Sequence, residues 1–420
     1  MVMRSTLFFS LAILFFFFFR IAQCGIEDRG STLQILHVDS KLTPKSPLIS
    51  WERSVIQMQS KDNARLRYLA PIASGRSITQ NPTYIVRAKM GTPAQTLLMA
   101  LDTSNDAALV PCAGCVGCSS SSTFDPSLSS SFKPLACGAP QCSQVPNPSC
   151  GGTTCGYSTT YGNSVVSATL AQDNITLATD SVLAYTFSCI RNSTGTSLPA
   201  QGLLGLGRGP LSLVTQSSSL YQSVFSYCLP SYKSSNFTGS LRLGPNSQPI
   251  RIKTSPLLRN PRRSSLYYVN LTAIRVARTV VNIPPSAFAF NTTTGAGTVF
   301  DSGTVFTSLV KPAYTAVRDE FRRKMGNATI STLGGFDTCY NVPVTVPTIT
   351  FMFSGMNVTL PQDNFLIRSS TGTTSCLAMA AAPDNVNSVL NVIASFQQQN
   401  HRVLIDVSNS KLGVAREACS

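Results

Sequence analysis

Two short acidic motifs, Asp102-Thr103-Ser104 and Asp301-Ser302-Gly303-Thr304, contain the residues of this chain best suited to chemistry. Each motif directly follows an apolar run, at residues 97–101 and 298–300, so each aspartate is predicted to stand at the end of a buried strand. Burying a carboxylate is costly unless hydrogen bonds or a catalytic role compensate for it. Two such carboxylates brought together would share one proton, an arrangement used in general acid–base catalysis.

A turn-capping role is the alternative for either motif alone, since Asp before Thr or Ser often caps a turn. The repetition of the motif in one setting favours the catalytic interpretation. The sequence shows neither metal-ligand His clusters nor a Walker-type phosphate loop, so no metal and no cofactor are predicted. Of the two histidines, His37 lies in the predicted prosegment, and His401 alone gives a Ser-His-Asp triad little support.

The composition favours a two-domain, all-β protein. The chain has 420 residues, 43% hydrophobic and 12% charged, which suffices for a core and is too apolar for a disordered chain. Short runs of Val and Ile between Ser, Thr, Gly, Pro and Asn predict many short strands and tight turns. Residues 392–394 loosely repeat the role of the glycine-rich stretch 202–209. This duplication predicts that the two aspartate loops face each other across a pseudo-twofold axis.

The amino terminus is predicted to be a secretory signal peptide over residues 1–24. Arg4 precedes an apolar stretch at 7–19, and Ala22 and Cys24 provide the small residues of a cleavage site. A membrane anchor is the alternative, but this stretch is shorter than the roughly 20 residues that span a bilayer. We therefore expect a secreted, extracellular protein of the apoplast or cell wall, free of the membrane after signal removal.

A removable prosegment is predicted over residues 25–76, followed by an amino-terminal lobe over 77–245 and a carboxy-terminal lobe over 246–420. The prosegment has apolar residues whose spacing fits one face of a helix. They are Trp51, Val55, Met58, Leu66 and Leu69. An ordinary surface helix is the alternative to a segment that covers the cleft. In the second lobe, residues 311–325 are the best helix candidate.

Cysteine usage agrees with secretion. There are 13 cysteines, and the loss of Cys24 with the signal leaves an even number, many of them within residues 112–155. In a secreted chain this pattern predicts a disulfide framework around a Cys-rich insertion in the first lobe. A zinc site is the alternative, because Cys112, Cys115 and Cys118 have ligand-like spacing. The sequence does not determine how the cysteines pair.

Sequons and net charge bear on the partners of the protein. Seven Asn-x-Ser/Thr sequons are glycosylation candidates, namely Asn174, Asn192, Asn236, Asn270, Asn291, Asn327 and Asn357. The formal net charge of +15 comes from scattered basic residues. We therefore expect an acidic cell-wall polysaccharide, rather than nucleic acid, as the counter-surface. No oligomer seam is evident in the sequence, and a monomer is expected.

Six motifs, in this order, resemble the pepsin-like aspartic peptidases, in particular the plant nepenthesin- and nucellin-like branch found in extracellular fluids. They are the two acidic motifs, Tyr161-Gly162 after Cys155, the stretch 202–209, Phe225-Ser226-Tyr227-Cys228-Leu229-Pro230 and Phe396-Gln397-Gln398-Gln399-Asn400. The resemblance covers residues 77–420. It implies an all-β, pepsin-like fold of two β-rich lobes with a central substrate cleft. It also implies a secreted aspartic endopeptidase, made as a zymogen, that acts on protein or peptide substrates at acidic pH.

The resemblance also implies roles for individual residues. Asp102 and Asp301 activate a water, and Thr103 and Ser302 tie the two aspartate loops together through hydroxyl–backbone hydrogen bonds. Tyr161, on a hairpin flap with Gly162, closes over the bound peptide. The supporting cleft residues are then Thr103, Ser104, Tyr161, Gly162, Ser302, Gly303 and Thr304.

Three positions depart from the family pattern. Ser104 stands where Gly is usual, Leu109 where Trp usually partners the flap tyrosine, and Ala394 where the second-lobe strand has Gly. Because Gly permits close backbone approach, the Ser104 side chain is expected to tighten the cleft or shift the carboxylate. The rival hypothesis is a catalytically weak pepsin-like protein that binds another protein or a glycan, as some similar plant glycoproteins do by inhibiting microbial wall-degrading enzymes.

Overall fold

Short β-strands joined by tight turns make up most of the chain in the computed structural model. The model describes residues 31–37, 58–59, 84–118, 123–231, 238–249, 251–369, 372–384 and 389–419. This architecture confirms the predicted all-β class. The described α-helices are α1 (Leu213–Gln216), α2 (Ser218–Tyr221), α3 (Lys311–Lys324) and α4 (Ser395–Gln398). Among the described residues, no helix is both long and apolar enough to cross a membrane.

Strands of the first half mostly run antiparallel to their neighbours. They are β1 (Ser31–His37), β2 (Tyr84–Met90), β3 (Gln95–Asp102), β4 (Leu109–Val116), β5 (Lys133–Pro134), β6 (Gly156–Tyr161), β7 (Ser164–Leu177), β8 (Asp180–Thr194), β9 (Leu203–Gly205), β10 (Val224–Cys228) and β11 (Thr238–Leu243).

Strands of the second half extend the main sheet and build two smaller, four-stranded sheets. They are β12 (Thr254–Leu258), β13 (Tyr267–Val269), β14 (Leu271–Val276), β15 (Thr279–Val280), β16 (Gly297–Phe300), β17 (Thr307–Leu309), β18 (Ser331–Leu333), β19 (Phe336–Asn341), β20 (Ile349–Phe353), β21 (Met356–Leu360), β22 (Leu366–Arg368), β23 (Thr374–Leu377), β24 (Met379–Ala381), β25 (Leu390–Ile393), β26 (His401–Asp406) and β27 (Lys411–Arg416).

The apolar runs before the two acidic motifs form strands that end at the aspartates. β3 has Asp102 as its last residue and pairs in parallel with β9, which places Asp102 opposite Gly205. β16 ends at Phe300, directly before Asp301, and pairs in parallel with β25, which places Phe300 opposite Ile393. Strands in parallel pairs are usually covered on both faces, which accounts for their continuous apolar sequence. The two halves therefore repeat one local plan.

A sheet at the junction of the two halves joins them. Its strands follow the order β2–β1–β11–β10–β26–β27–β12, with every pair antiparallel, so β10 of the first half lies beside β26 of the second. Arg402 on β26 is fully buried and donates hydrogen bonds to Ser226, Ser240 and Glu417. The hydrogen bonds that Arg402 donates to Glu417 lower the pKa of Glu417. The stability contributed by this ion pair is therefore lost only as the pH falls through that lowered pKa.

Strand β1 lies in the region assigned to the prosegment, where the sequence analysis predicted only a helix. It pairs with β11 on one side and β2 on the other, and Leu33, Ile35 and Leu36 are buried. The alternation of polar and apolar residues over 32–35 is the signal for this strand. Of the predicted helix, Met58 is described, in a helical conformation. The signal peptide and Trp51, Val55, Leu66 and Leu69 lie outside the described residues.

Within the described residues, twelve cysteines form six disulfide bonds, which confirms the predicted framework. The pairs are Cys112–Cys189, Cys115–Cys118, Cys137–Cys150, Cys142–Cys155, Cys228–Cys419 and Cys339–Cys376. Since Cys112, Cys115 and Cys118 are all oxidised, their spacing does not represent a zinc site. Cys228–Cys419 ties β10 to the carboxyl end and so reinforces the junction between the halves.

Candidate active site

The two aspartate loops meet through a reciprocal pair of hydrogen bonds between the halves of the chain. The backbone N–H of Ser302 donates to Oγ1 of Thr103 at 2.9 Å, and the backbone N–H of Thr103 donates to Oγ of Ser302 at 3.3 Å. Both residues are buried, as are the aspartates that precede them. Because each hydroxyl satisfies the backbone of the opposite loop, the two loops that carry Asp102 and Asp301 are held against one another.

Asp102 accepts hydrogen bonds on both carboxylate oxygens. Its Oδ1 accepts the backbone N–H of Ser104 at 2.8 Å and the Ser104 hydroxyl at 2.7 Å. Its Oδ2 accepts the Tyr161 hydroxyl at 3.3 Å. Donors aimed at a buried carboxylate compensate for lost hydration and fix its orientation. The Ser104 side chain therefore adds a second donor to the oxygen that its own backbone already contacts.

Asp301 is fixed by its own loop and by Gln398 of α4. Its Oδ1 accepts the backbone N–H of Gly303 at 3.0 Å, and its Oδ2 accepts the Thr304 hydroxyl at 2.6 Å. The Gln398 side-chain amide donates to the Asp301 carbonyl at 3.2 Å and accepts the Tyr227 hydroxyl at 2.7 Å. Burial, and then the charge of Asp301, raise the pKa of Tyr227, so this hydroxyl stays a neutral donor. The roles of Gln398 and Tyr227 were not predicted.

Tyr161 closes the site from the hairpin formed by β6 and β7. The hairpin turns through Gly162 and Asn163, and Gly162 has a φ of +57°, which glycine adopts without strain at the first position of such a turn. Tyr161 is fully buried and belongs to one apolar cluster with Leu109 and, from β1, Leu36. Leu109 therefore packs in the cluster around Tyr161, at the position where the resemblance implies Trp. The Tyr161 hydroxyl donates its hydrogen bond to Asp102.

Two further sequence candidates have structural surroundings. Ala394 directly follows β25 and is fully buried. Its backbone N–H donates to Oγ1 of Thr307 at 3.0 Å. His401 is also buried, and its Nδ1 lies 2.9 Å from the carbonyl oxygen of Gln399. Burial lowers the pKa of His401, which favours a neutral ring. Both residues therefore make packing contacts within the second lobe.

Asp106 links the first aspartate loop to the second lobe, and the sequence analysis missed it. Its Oδ2 accepts the Ser265 hydroxyl at 2.6 Å, and its Oδ1 accepts the backbone N–H of Gly209 at 2.8 Å. A Cβ at Gly209 would lie 2.1 Å from Oδ2, so the glycine-rich stretch leaves room for this carboxyl group. Burial raises the pKa of Asp106, and the two hydrogen bonds oppose that rise. The glycines near 205–209 are the one sequence signal that such a group packs there.

Two family models of known proteins match the chain, one in each half. The family model described as xylanase inhibitor N-terminal matches residues 84–245, and the one described as xylanase inhibitor C-terminal matches residues 266–416. The chain is 45% identical to aspartyl protease AED3 of Arabidopsis thaliana, over 94% of this chain and 93% of the relative. It is 32% identical to aspartic proteinase nepenthesin-1 of Nepenthes gracilis, over 93% of this chain and 90% of the relative. The chain belongs to the pepsin-like aspartic protease family.

The fold agrees with this aspartic protease assignment. The crystal structure of edgp aligns with a TM-score of 0.68 at 18% sequence identity, covering 92% of this chain and 95% of that one. Identity this low shows the fold alone. The resemblance identified from the six sequence motifs is thereby confirmed at the level of the family and of the fold.

The raised pKa of Asp106 gives a testable pH dependence. A carboxyl group whose pKa is higher in the folded state stabilises the fold at low pH, and this contribution is lost as the pH rises through that pKa. Asp106→Asn keeps an acceptor for Gly209 and a polar group for Ser265 but does not titrate. The variant should therefore gain stability relative to wild type between about pH 4 and about pH 7, by on the order of 1 kcal/mol.

Urea unfolding at the two pH values measures this difference. Asp384→Asn is the matched control, since the Asp384 side chain is 80% exposed. We expect its stability relative to wild type to change little with pH. A difference between Asp106→Asn and wild type that is constant from acidic to neutral pH would contradict the burial argument.

Proposed function

We propose that this aspartic protease family member is a secreted endopeptidase that hydrolyses peptide bonds at acidic pH, with a water activated by Asp102 and Asp301. The reciprocal contact of Thr103 and Ser302 carries the proposal, because it holds two buried carboxylates together. Neighbouring buried acids oppose folding, since their mutual repulsion adds to the cost of burial. Such a pair is therefore better explained by chemistry on a bound peptide than by stability.

The mechanism follows from one shared proton. Two adjacent carboxyl groups hold a single proton over an acidic range, because ionising both would place two negative charges side by side. The ionised member takes a proton from a water, and the protonated member donates to the carbonyl oxygen of the scissile bond. The water attacks the carbonyl carbon and gives a tetrahedral diol that is not bonded to the enzyme. The carboxyl group that took the water's proton then donates a proton to the amide nitrogen as the C–N bond breaks, and its partner takes back a hydroxyl proton from the diol. The pair again holds one proton, and no covalent enzyme intermediate forms. The Tyr161 hydroxyl contacts Asp102 and limits access of bulk solvent to that carboxyl group.

Secretion and glycosylation form part of the same proposal. The disulfide framework is typical of an oxidising compartment. Five sequon asparagines are exposed, namely Asn192, Asn270, Asn291, Asn327 and Asn357. Asn174 is partly buried, and its side chain contacts Thr92 and Ala184. We therefore propose glycans at exposed positions rather than at Asn174; Asn236 lies outside the described residues.

A binding function without catalysis is the second candidate. The matching family models are described as xylanase inhibitor domains, and the Tyr161 hydroxyl already takes a hydrogen-bonding position on Asp102. A protein that used this closed cleft only as a scaffold would bind a xylanase, another protein or a glycan and cleave nothing. Proteolysis and xylanase binding by one preparation separate the two candidates.

Removing either catalytic carboxylate should abolish proteolysis. We expect mature protein to cleave a denatured protein at about pH 4, and Asp102→Asn or Asp301→Asn to lower kcat by a factor of about 1,000 or more, since the shared proton and the general base are lost. A statine-containing peptide should inhibit the wild type. The measurement is the rate of peptide release, with Asp384→Asn as the exposed control.

Three results would contradict the peptidase. They are equal activity in either dyad variant, activity at about pH 8 with none at about pH 4, and xylanase binding without any proteolysis. The last result would favour the binding function instead.

We further propose that residues 25–76 are a prosegment that keeps the precursor latent. Strand β1 fills the place between β2 and β11, and Leu36 belongs to the same apolar cluster as Tyr161. In the described helical residues, Gln59 Oε1 accepts the backbone N–H of Gly335 at 2.8 Å, and Met58 packs on a cluster that contains Val305. Val305 directly follows the second acidic motif. The prosegment therefore contacts the surroundings of both aspartates.

Weakening the contacts of Met58 and Gln59 should speed activation. In the precursor from residue 25, Met58→Asp with Gln59→Ala removes one apolar contact and one hydrogen bond. We expect the prosegment to be lost several-fold faster at about pH 4, followed by mass spectrometry, because each contact contributes about 1 kcal/mol. Gln34→Ala, at an exposed position of β1, is the matched control. A precursor fully active at neutral pH with residues 25–76 attached would overturn the proposal.

A further inference from the structure

The hairpin that carries Tyr161 is paired along its whole length. β7 pairs with β6 on one side up to Ser164, which lies opposite Tyr161. On its other side β7 pairs with β8 as far as Val165, which lies opposite Thr194. The flap is therefore the end of a three-stranded ribbon, and it cannot bend away from the cleft without disturbing β8.

At the tip of the hairpin, the side chains of Asn163 and Ser164 form hydrogen bonds with the segment that follows β8. We define Asn163 and Ser164, together with residues 196–198, as the flap latch. Ser164 Oγ accepts the backbone N–H groups of Ser197 at 2.9 Å and Leu198 at 3.0 Å. Asn163 Oδ1 accepts the backbone N–H of Thr196 at 3.1 Å and the Ser197 hydroxyl at 2.6 Å.

Asn163 also acts as a donor in the latch. Its backbone N–H donates to Ser197 Oγ at 3.0 Å, and its side-chain amide donates to Thr196 Oγ1 at 3.2 Å. Gly195 makes the close approach possible, since it has a φ of +81° and a Cβ there would lie 2.4 Å from the carbonyl oxygen of Asn163. Ser164 and Ser197 are both buried, so water does not readily replace their bonds.

The latch is continuous with the candidate active site. Leu198 packs against the apolar cluster that contains Tyr161 and Leu109. The same segment leads into β9, whose Gly205 lies opposite Asp102. With the latch formed, the Tyr161 hydroxyl rests on Oδ2 of Asp102. A peptide approaching Asp102 must displace this hydroxyl, which requires the flap tip to move.

We propose that the flap latch holds the cleft shut in the free protein and that its opening governs how fast peptides enter. This inference rests on the proposed peptidase function for the class of ligand, an extended peptide. A protein whose binding-competent form is a minor population binds more slowly and more weakly in proportion to that population. Asn163, Ser164 and Ser197 are thus determinants of substrate access rather than catalytic residues.

The test removes latch bonds one side chain at a time in mature protein. Ser164→Ala removes the acceptor of two backbone N–H groups, and Asn163→Ala removes the side-chain contacts to Thr196 and Ser197. Ser158→Ala is the matched control, because Ser158 lies on the same hairpin and its hydroxyl contacts Ser167 at 3.1 Å outside the latch. Thermal unfolding verifies that each variant is folded.

Two readouts are compared, namely hydrogen exchange of the amides of residues 196–198 and the association rate of a statine-containing peptide. We expect these amides to be protected in wild type and in Ser158→Ala, and to exchange faster in the two latch variants. The association rate should rise about three- to tenfold in each latch variant, the effect of one ordinary hydrogen bond.

Unprotected amides in wild type would overturn the latch. Protected amides with unchanged association rates, or no peptide binding by wild type and variants alike, would overturn its role in access. Failure of the peptidase is a different result: a protein that shows both latch effects and binds the peptide, yet cleaves nothing, refutes the proposed reaction and supports the latch.

Discussion

The hydroxyl–backbone bonds between Thr103 and Ser302 are the constraint on which the rest of the site depends. They join two loops that come from opposite halves of the chain, and they are buried, so water does not compete for them. By contrast, each hydrogen bond to Asp102 or Asp301 described above comes from a residue in that aspartate's own half of the chain. Without the reciprocal bonds, the contact of Asp106 with Ser265 and the pairing of β10 with β26 would still join the halves, but nothing described above would bond one aspartate motif directly to the other.

The surrounding structure keeps this junction intact under acidic conditions. Strands β10 and β26 pair across the halves, Cys228–Cys419 links the same region, and Arg402 lowers the pKa of Glu417 so that their ion pair persists into acid. Asp106 acts in the same direction, because burial raises its pKa and is least costly when the carboxyl group is protonated. These groups suit a protein that works at low pH, as proposed for its catalytic pair.

Features set by local sequence could be predicted from the residues themselves, whereas a contact between distant residues, such as that of Thr103 with Ser302, could be expected only where the family resemblance implied it. The apolar runs before Asp102 and Asp301, and the Pro-started helix at Lys311–Lys324, are local patterns that the structure reproduces. The contact of Asp106 with Ser265 spans 159 positions, and nothing in the surroundings of Ser265 marks it as a partner. β1 was missed because a helical spacing further along the prosegment determined the prediction for the whole segment. The side chains that bond in the flap latch are Ser, Thr and Asn, which are frequent throughout this sequence, so composition does not distinguish the latch.

The central claim is that the two joined loops hold one proton between Asp102 and Asp301, covered by Tyr161 until a peptide enters. Neutron diffraction from deuterium-exchanged crystals of the mature protein, grown at an acidic pH, measures this most directly. The account predicts one deuterium on the pair of carboxyl groups and a Tyr161 hydroxyl directed at Asp102. Two carboxyl groups lying apart, or both deuterated or both bare at that pH, would contradict it.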